Sequence, residues 1–291
     1  IESTDVVACP GSGKTTALLA KLFILSKHMP FEDNKGICVL THTNVAIDEI
    51  KLRMGKASSV LFSYPNFFGT IQSFVDRFLA IPAFVEEYGH RNITIDSSLA
   101  KNIFEKRLNY RTRIWLSRQQ KEIIGSLVLI APDEIGLLSN GKLSSLGIGV
   151  HTDSYKDLLE VKKGIIKDGI IRYDEAYSLA NEYITRHPSL AESLSARFVY
   201  LFIDEMQDTN SIQNKLINTI FTDCVIKQKI GDPNQAIYDN IVDATDAWEI
   251  SEKNITLSKS KRISSQIAKV IHNVCAKPEK ILEGVERGAD D

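Results

Sequence analysis

No stretch of the chain approaches the ~18 consecutive apolar residues of a membrane span. The N-terminus also lacks the basic-then-apolar order of a secretory signal, so a soluble, cytoplasmic protein with no membrane attachment is expected. Cysteine is scarce. Cys9, Cys38, Cys224 and Cys275 lie far apart and form no CxxC pair, which excludes a disulfide framework or a zinc site and leaves reduced thiols. His28, His42, His90, His151, His187 and His272 show no metal-ligand spacing either. An excess of charge of one sign is missing too: 35 Lys and Arg stand against 37 Asp and Glu, a net charge of −2. A globally basic, histone-like nucleic-acid binder is thereby excluded, and any such contact must be local. With 16 Gly and 8 Pro in 291 residues, and no repeat or low-complexity tract, the chain is neither collagen-like nor disordered.

What is present is a soluble α/β pattern, 43% hydrophobic and 25% charged, long enough for two domains or one domain with a large insertion. STDVVAC at 3–9 is a short apolar run that ends in a Gly-rich turn, and TTALLAKLFILSKH at 15–28 has helical spacing. Strand and helix then repeat as GICVLTH at 36–42 and NVAIDEIKLRM at 44–54, with Gly55 as a helix stop. FVYLFID at 198–204 and VIKQKIGD at 225–232 are further strands. Strands separated by helices predict βαβ units and a parallel sheet covered on both faces. Between about 80 and 185 the texture becomes helical, with helices predicted over 100–131 and 154–167, no strong strand, and a Gly/Ser-rich loop at 139–154.

Three loops carry chemistry. ACPGSGKT at 8–15 fits the phosphate-loop pattern except that Ala8 stands where the strict form has Gly. Gly11 and Gly13 let backbone N–H groups turn inward at a helix N-terminus, together with Ser12 and Thr16; Lys14 reaches the β and γ phosphates of ATP, and Thr15 can ligate Mg²⁺. IDEMQDT ends a hydrophobic strand in Asp204 and Glu205, which fall on the ligand side of a parallel sheet. Alone, two acids there would also suit a helix N-cap. Paired with the phosphate loop, Asp204 suits Mg²⁺ and Glu205 suits the base that activates the attacking water. In GDPNQAIYD at 231–239, Gln235 is a candidate sensor of the γ phosphate, and Tyr238 a candidate stacking platform for an unpaired base.

The ordered set ACPGSGKT, THTNVAIDEI, GTIQSF, IRYDEA, IDEMQDT and GDPNQAIY resembles the UvrD/Rep-like superfamily 1 helicases, 3′ to 5′ DNA translocases, from residue 8 to about 270. The resemblance implies a RecA-like P-loop core at 1–80 and 186–276, interrupted by a helical subdomain at 81–185, with 277–291 a tail or the start of a second motor domain. It implies that Thr43 and Asn44 touch single-stranded DNA or a single/double-strand junction, as do Gly69, Thr70, Gln72, Ser73 and Phe74. Gln72 stands where His is usual. Tyr238 matches the base-stacking aromatic, and Tyr173 and Asp174 an aromatic-acid pair at the end of the helical subdomain. LSKSKRISSQI at 257–267 resembles a further motif, with Arg262 as an arginine finger in cis, although Ser260 and Lys261 replace Asn and Tyr.

On this resemblance the chain is the N-terminal motor region of an ATP-dependent DNA helicase. The absence of an initiator Met and of a second lobe suggests a fragment of a longer protein. A nucleotide-gated DNA-binding regulatory ATPase subunit of a nuclease or defence complex, acting with a nuclease or other partner protein and without unwinding activity, is the alternative. A small-molecule kinase would share the phosphate loop but not GDPNQAIY. The run 101–121, rich in Lys and Arg with Tyr110 and Trp115 interleaved, suits either a phosphate-gripping surface or a solvated helix face.

Overall fold

The computed structural model describes residues 1–118, 123–131, 133–139, 142–235, 248–273 and 283–285. The chain divides into two compact units, one formed by Ile1–Phe74 with His187–Asp291 and the other by Val75–Arg186.

In the first unit the β-branched and aliphatic runs form strands β1 (Thr4–Ala8), β2 (Gly36–Thr41), β3 (Phe67–Thr70), β4 (Phe198–Ile203), β5 (Ile226–Gly231) and β6 (Asn254–Leu257). They make one six-stranded sheet in the order β6-β1-β5-β4-β2-β3, parallel throughout. Helices α1 (Lys14–Ser26), α2 (Asn44–Met54), α3 (Ser189–Arg197), α4 (Ser211–Ile220) and α5 (Ser265–His272) belong to the same unit. Successive side chains of a strand point to opposite faces. Val6, Ile37, Val39, Phe202 and Ile230 pack with Leu18, Leu22 and Leu25 of α1 and Ile50 and Met54 of α2. The alternate set, Val7, Cys38, Leu40, Leu201 and Ile203, is equally buried. Both faces are therefore covered at the centre of the sheet, which is why β1, β2 and β4 read as largely continuous apolar runs rather than as alternations.

Register places the strand ends together. Ala8 is opposite Leu257, Val7 opposite Gly231, Ile203 opposite both Lys229 and Leu40, and Thr41 opposite Thr70. Every loop with chemistry-bearing residues thus leaves the same carboxyl edge of the sheet, where ligands bind in open parallel sheets. Beyond β6, strand β7 (Lys259–Ser264) pairs in parallel with β8 (Glu283–Val285).

The second unit corrects the expectation of a purely helical segment. Helices Ser97–Arg107, Tyr110–Ser117, Asp153–Lys167 and Tyr173–Arg186 are present, but Leu127–Ala131, Glu134–Ser139 and Lys142–Ser145 form a three-stranded antiparallel sheet. The helix predicted over 100–131 stops first at Leu108, because Asn109 caps a new helix by accepting from the Thr112 N–H at 2.8 Å. The run LVLIA that follows is too short for a helix to compete with local antiparallel pairing. Phe104, Leu108, Ile123, Leu127, Ile135, Tyr155, Leu158 and Ile165 make this unit's core. The Tyr155 hydroxyl there accepts from the Ile135 N–H at 3.1 Å. Among the described residues Cys9, Cys38 and Cys224 are free thiols, and no helix is long and apolar enough to cross a membrane.

Candidate nucleotide and strand site

The turn from β1 to α1 needs glycine. Gly11 and Gly13 have φ of 75° and 97°, a left-handed region costly for residues with a Cβ. No side chain caps α1, so the amides of its first turn stay available to an anion, in the positive field of the helix end. Ser12 is held inside the loop, its hydroxyl donating to the Cys9 carbonyl at 2.7 Å. Lys14 opens the helix, followed by half-buried Thr15 and exposed Thr16.

β4 delivers Asp204 and Glu205 to the same edge. Lys14 Nζ donates to Glu205 Oε2 at 3.0 Å and to Gln235 Oε1 at 3.5 Å, so three candidates from segments far apart in sequence meet in one cluster. Burial, reinforced by the neighbouring Glu205 charge, pushes Asp204 up from 3.8 to about 6. Burial pushes Glu205 up as well, but the Gln207 hydrogen bond and the Lys14 charge prevail and hold it below the usual carboxylate range. Glu205 also sits at φ 52°, ψ 49°, left-handed backbone that a non-glycine residue adopts at a cost of roughly 1–3 kcal/mol.

Gln207 was not visible in the sequence. Its side chain is buried, donates to Glu205 Oε2 at 2.8 Å and accepts from the Asp232 N–H at 2.9 Å, so it clamps the acidic turn to the loop carrying Gln235. Gly231 leaves room for it, since a Cβ there would lie 2.6 Å from Gln207 Oε1. The contact spans 25 residues of sequence, and no local pattern announces it.

The donor set fits a nucleotide with a hard divalent cation. Asp232 Oδ2 is buried with no hydrogen-bond partner, an acceptor of the kind that calls for a donor or water. Asp204 and the Thr15 hydroxyl are oxygen ligands of the type Mg²⁺ takes in small number alongside substrate phosphates. Among the described residues no cluster of three or more His, Cys, Asp or Glu could hold a metal alone.

Arg262 reaches the phosphate loop from the other side. The Lys261 N–H donates to the Gly11 carbonyl at 3.0 Å and the Ser260 hydroxyl to the Pro10 carbonyl at 2.7 Å. A Cβ added at Gly11 would lie 2.6 Å from Arg262 Cγ. Ser260, at a position where the resemblance has Asn, is fully buried and ties the strand to the loop.

Of the strand-contact candidates, Thr43 and Asn44 are exposed at the start of α2, where Thr43 Oγ1 accepts from the Ala46 N–H at 3.3 Å. Thr70, Gln72 and Ser73 are half-buried at the end of β3, with the Ser73 hydroxyl donating to the Thr70 carbonyl at 2.8 Å. Buried Gly69 has no space for a Cβ, which would lie 2.6 Å from Ser73 Oγ. Phe74 is a correction to the expected strand contact. Its ring is 0% exposed and packs against Phe67, Phe198 and Phe221 at centroid distances of 5.3, 6.3 and 5.4 Å, so it is a core residue. Tyr238 lies outside the described residues. In the second unit Tyr173 is exposed, and Asp174 pairs with Arg172.

The sequence matches the UvrD/REP helicase N-terminal domain over residues 2–240. The chain belongs to this family. The UvrD/REP helicase N-terminal domain is RecA-like, as the parallel sheet and phosphate loop require. Relatives include a probable DNA helicase II homolog of Mycoplasma capricolum, 24% identical over 96% of this chain and 37% of that protein. ATP-dependent DNA helicase PcrA of Bacillus subtilis is 26% identical over 82% of the chain and 32% of its own length. DNA helicase II of Escherichia coli is 27% identical over 80% and 32%. The chain spans about a third of the length of these relatives.

Proposed function

We propose that this chain is the N-terminal motor region of an ATP-dependent DNA helicase, which hydrolyses MgATP and couples the reaction to movement along single-stranded DNA, 3′ to 5′. The observation that carries the reading is the convergence of Glu205 and Gln235 on Lys14, whose Nζ lies 3.0 Å from the one and 3.5 Å from the other, on the sheet edge that also presents Thr43 and Asn44. A purely structural loop would have no need of a lysine, a strained glutamate and an amide converging there.

In this reading the loop amides of Gly11, Ser12 and Gly13 and the first turn of α1, with Thr16, hold the phosphates of ATP. Lys14 leaves Glu205 to contact the β and γ phosphates. Glu205, freed from the ion pair and still oriented by Gln207, accepts the proton of the water that attacks the γ phosphorus in line, while the bond from that phosphorus to the β–γ bridging oxygen breaks and ADP leaves with the electron pair. Gln235 touches the γ phosphate and registers its loss. Arg262 lies against the loop and offsets charge on the transferred phosphoryl group. Mg²⁺, held by Thr15 and Asp204, supplies charge neutralisation on the phosphate oxygens when bound. Thr43 and Asn44, with Thr70, Gln72 and Ser73, contact the strand, and Tyr238 stacks on a base.

Steady-state ATPase of the full-length protein with Mg²⁺, with and without single-stranded DNA, single-stranded RNA and duplex, tests the proposal. Stimulation by single-stranded DNA alone is expected. Turnover indifferent to every nucleic acid overturns the motor reading, and stimulated turnover without unwinding of a forked duplex replaces it with a regulatory ATPase.

A further inference from the structure

His42 has no role in the site as laid out, yet it stands between that site's two halves. It follows Thr41, the last residue of β2, and precedes Thr43 and Asn44. Its half-buried ring places Nε2 3.0 Å from Thr209 Oγ1. Thr209 is 5% exposed and closes the acidic turn: its N–H donates to the Met206 carbonyl at 3.1 Å, and the Asp208 N–H to the Glu205 carbonyl at 2.9 Å. Glu205, in left-handed backbone, is thus at one end of a tightly bonded turn and Thr209 at the other. On the opposite side of His42 the chain is equally constrained. The Thr41 hydroxyl donates to the Thr43 carbonyl at 2.9 Å, and Thr43 caps α2.

Burial holds the His42 imidazole below its ordinary pKa, against the pull of Asp208 and Glu205. A neutral imidazole and a hydroxyl can each donate or accept, so this bond persists in either direction as its surroundings change. The Thr41–Thr43 bond couples the backbone on either side of His42, and the ring is held by its bond to Thr209, so a displacement of the Thr43–Asn44 backbone has a direct path to the acidic turn.

We propose that His42 and Thr209 form the link through which a single strand on Thr43 and Asn44 sets the orientation of Glu205. His42 is a positioning residue, acting through the acidic turn and touching neither nucleotide nor strand. The inference rests on the reading of the site as a strand-driven ATPase.

The test uses full-length protein and the variants His42→Ala, His42→Gln, Thr209→Val and the double variant His42→Ala/Thr209→Val. Three quantities are read: ATPase without nucleic acid, ATPase saturated with oligo(dT), and oligo(dT) affinity with and without a non-hydrolysable ATP analogue. His42→Ala and Thr209→Val should each lose about tenfold of the stimulated kcat, while unstimulated kcat and nucleotide-free oligo(dT) affinity stay within about twofold. The effect of the analogue on oligo(dT) affinity should shrink as well, and because coupling between two binding sites is reciprocal, the effect of oligo(dT) on analogue affinity should shrink by the same factor as that effect. A merely structural contact would not move that ratio. The double variant should be no worse than either single one, and His42→Gln, whose amide can still meet the hydroxyl, should recover most of the stimulation.

Full stimulation in both single variants overturns the inference, as does an equal fall in unstimulated and stimulated turnover. Should His42→Ala not fold, Thr209→Val, which removes only a hydroxyl from the pair, decides the matter alone. A wild-type protein that oligo(dT) does not stimulate overturns the functional reading and the inference with it. A stimulated wild type with unaffected variants overturns the inference only.

Discussion

Each unit of the molecule contains a cluster of opposite charges, and the two are built in opposite ways. In the first, Lys14 and Glu205 meet at 3.0 Å with the lysine 11% and the glutamate 42% exposed. In the second, Lys162 and Glu175 pair at 5% and 9% exposure. Next to them Arg172 pairs with Asp174 and donates to the carbonyls of Ile124 and Leu127 at 3.2 and 3.1 Å. The Arg172 N–H also donates to Glu175 Oε2 at 2.9 Å. A sealed pair cannot be opened without stranding a charge in low dielectric, and it adds little net stability over an apolar core, so its use is to fix geometry. An ion pair that keeps one partner in contact with water can exchange that partner for a phosphate at small cost. Accessibility of one member separates a pair that works from a pair that braces.

The largest effects should come from removing each half of the working pair. Glu205→Gln should keep nucleotide affinity and lose about 10²–10⁴-fold in kcat, the range of a general base. Lys14→Ala should lose both binding and turnover. Fluorescent-nucleotide titration beside steady-state ATPase reads the two effects separately, and an equal loss of affinity in both variants would remove Glu205 from the role of base. Neither change should lower the thermal midpoint much, because Glu205 keeps contact with water and the ion pair is screened through it.

The same operation on the bracing pair should act on stability instead. Glu175→Ala leaves Lys162 buried, where burial already lowers its pKa, and should destabilise the second unit by about 3–5 kcal/mol. Lys162→Met/Glu175→Leu should recover most of that loss. Urea denaturation followed by the fluorescence of Trp115, the Trp that lies in this unit, checks both. A double variant as unstable as Glu175→Ala would mean that the pair does more than satisfy itself.

Both pairs also bear on how much of the site is legible in the sequence. The phosphate loop, the acids after β4 and the Gln235 loop could be read because each follows an apolar strand at a short, fixed offset, and one parallel sheet brings all such offsets to one edge. Gln207, Ser260 and His42 could not be read, because their partners are 25, 250 and 167 residues away. Phe74 reads as a strand contact although it is buried, because an aromatic next to polar contact residues carries no local sign of which way it points. The antiparallel strands Leu127–Ala131, Glu134–Ser139 and Lys142–Ser145 are not legible, because LVLIA follows a helical stretch without a change in hydrophobicity, so only its pairing partner distinguishes strand from helix.

Two glycines of the first unit differ in the same sense at smaller scale. Gly11 and Gly55 both have positive φ, 75° and 52°, and alanine at either should cost about 1–3 kcal/mol of backbone strain. At Gly55 a Cβ meets nothing within 4 Å, whereas at Gly11 it would overlap the Arg262 side chain. Gly55→Ala should therefore lower the melting midpoint alone, and Gly11→Ala should also weaken nucleotide binding and turnover. Equal ATPase in the two variants would show that Arg262 is indifferent to the loop it covers.

The smallest effect belongs to the bracing side and appears only in alkali. Tyr88 stacks on Phe84 at 4.6 Å. Burial, with the charges of Glu87, Glu175 and Glu182, pushes its phenol up from 10.0 to about 12. A group whose folded pKa lies above its unfolded value contributes stability below the unfolded pKa and loses it as pH rises through the folded one. The second unit should therefore lose stability between pH 10 and about 12 on account of Tyr88. Tyr88→Phe should leave the neutral-pH midpoint nearly unchanged, since the ring stacking is kept, and should flatten that alkaline slope. Absorbance of tyrosinate against pH follows the same group directly: one slow phenol should remain protonated past pH 10 in the wild type and vanish from the titration in the variant. A Tyr88 that titrates at its ordinary value would mean that the acids around it are farther away, or better screened, than the packing of this unit requires.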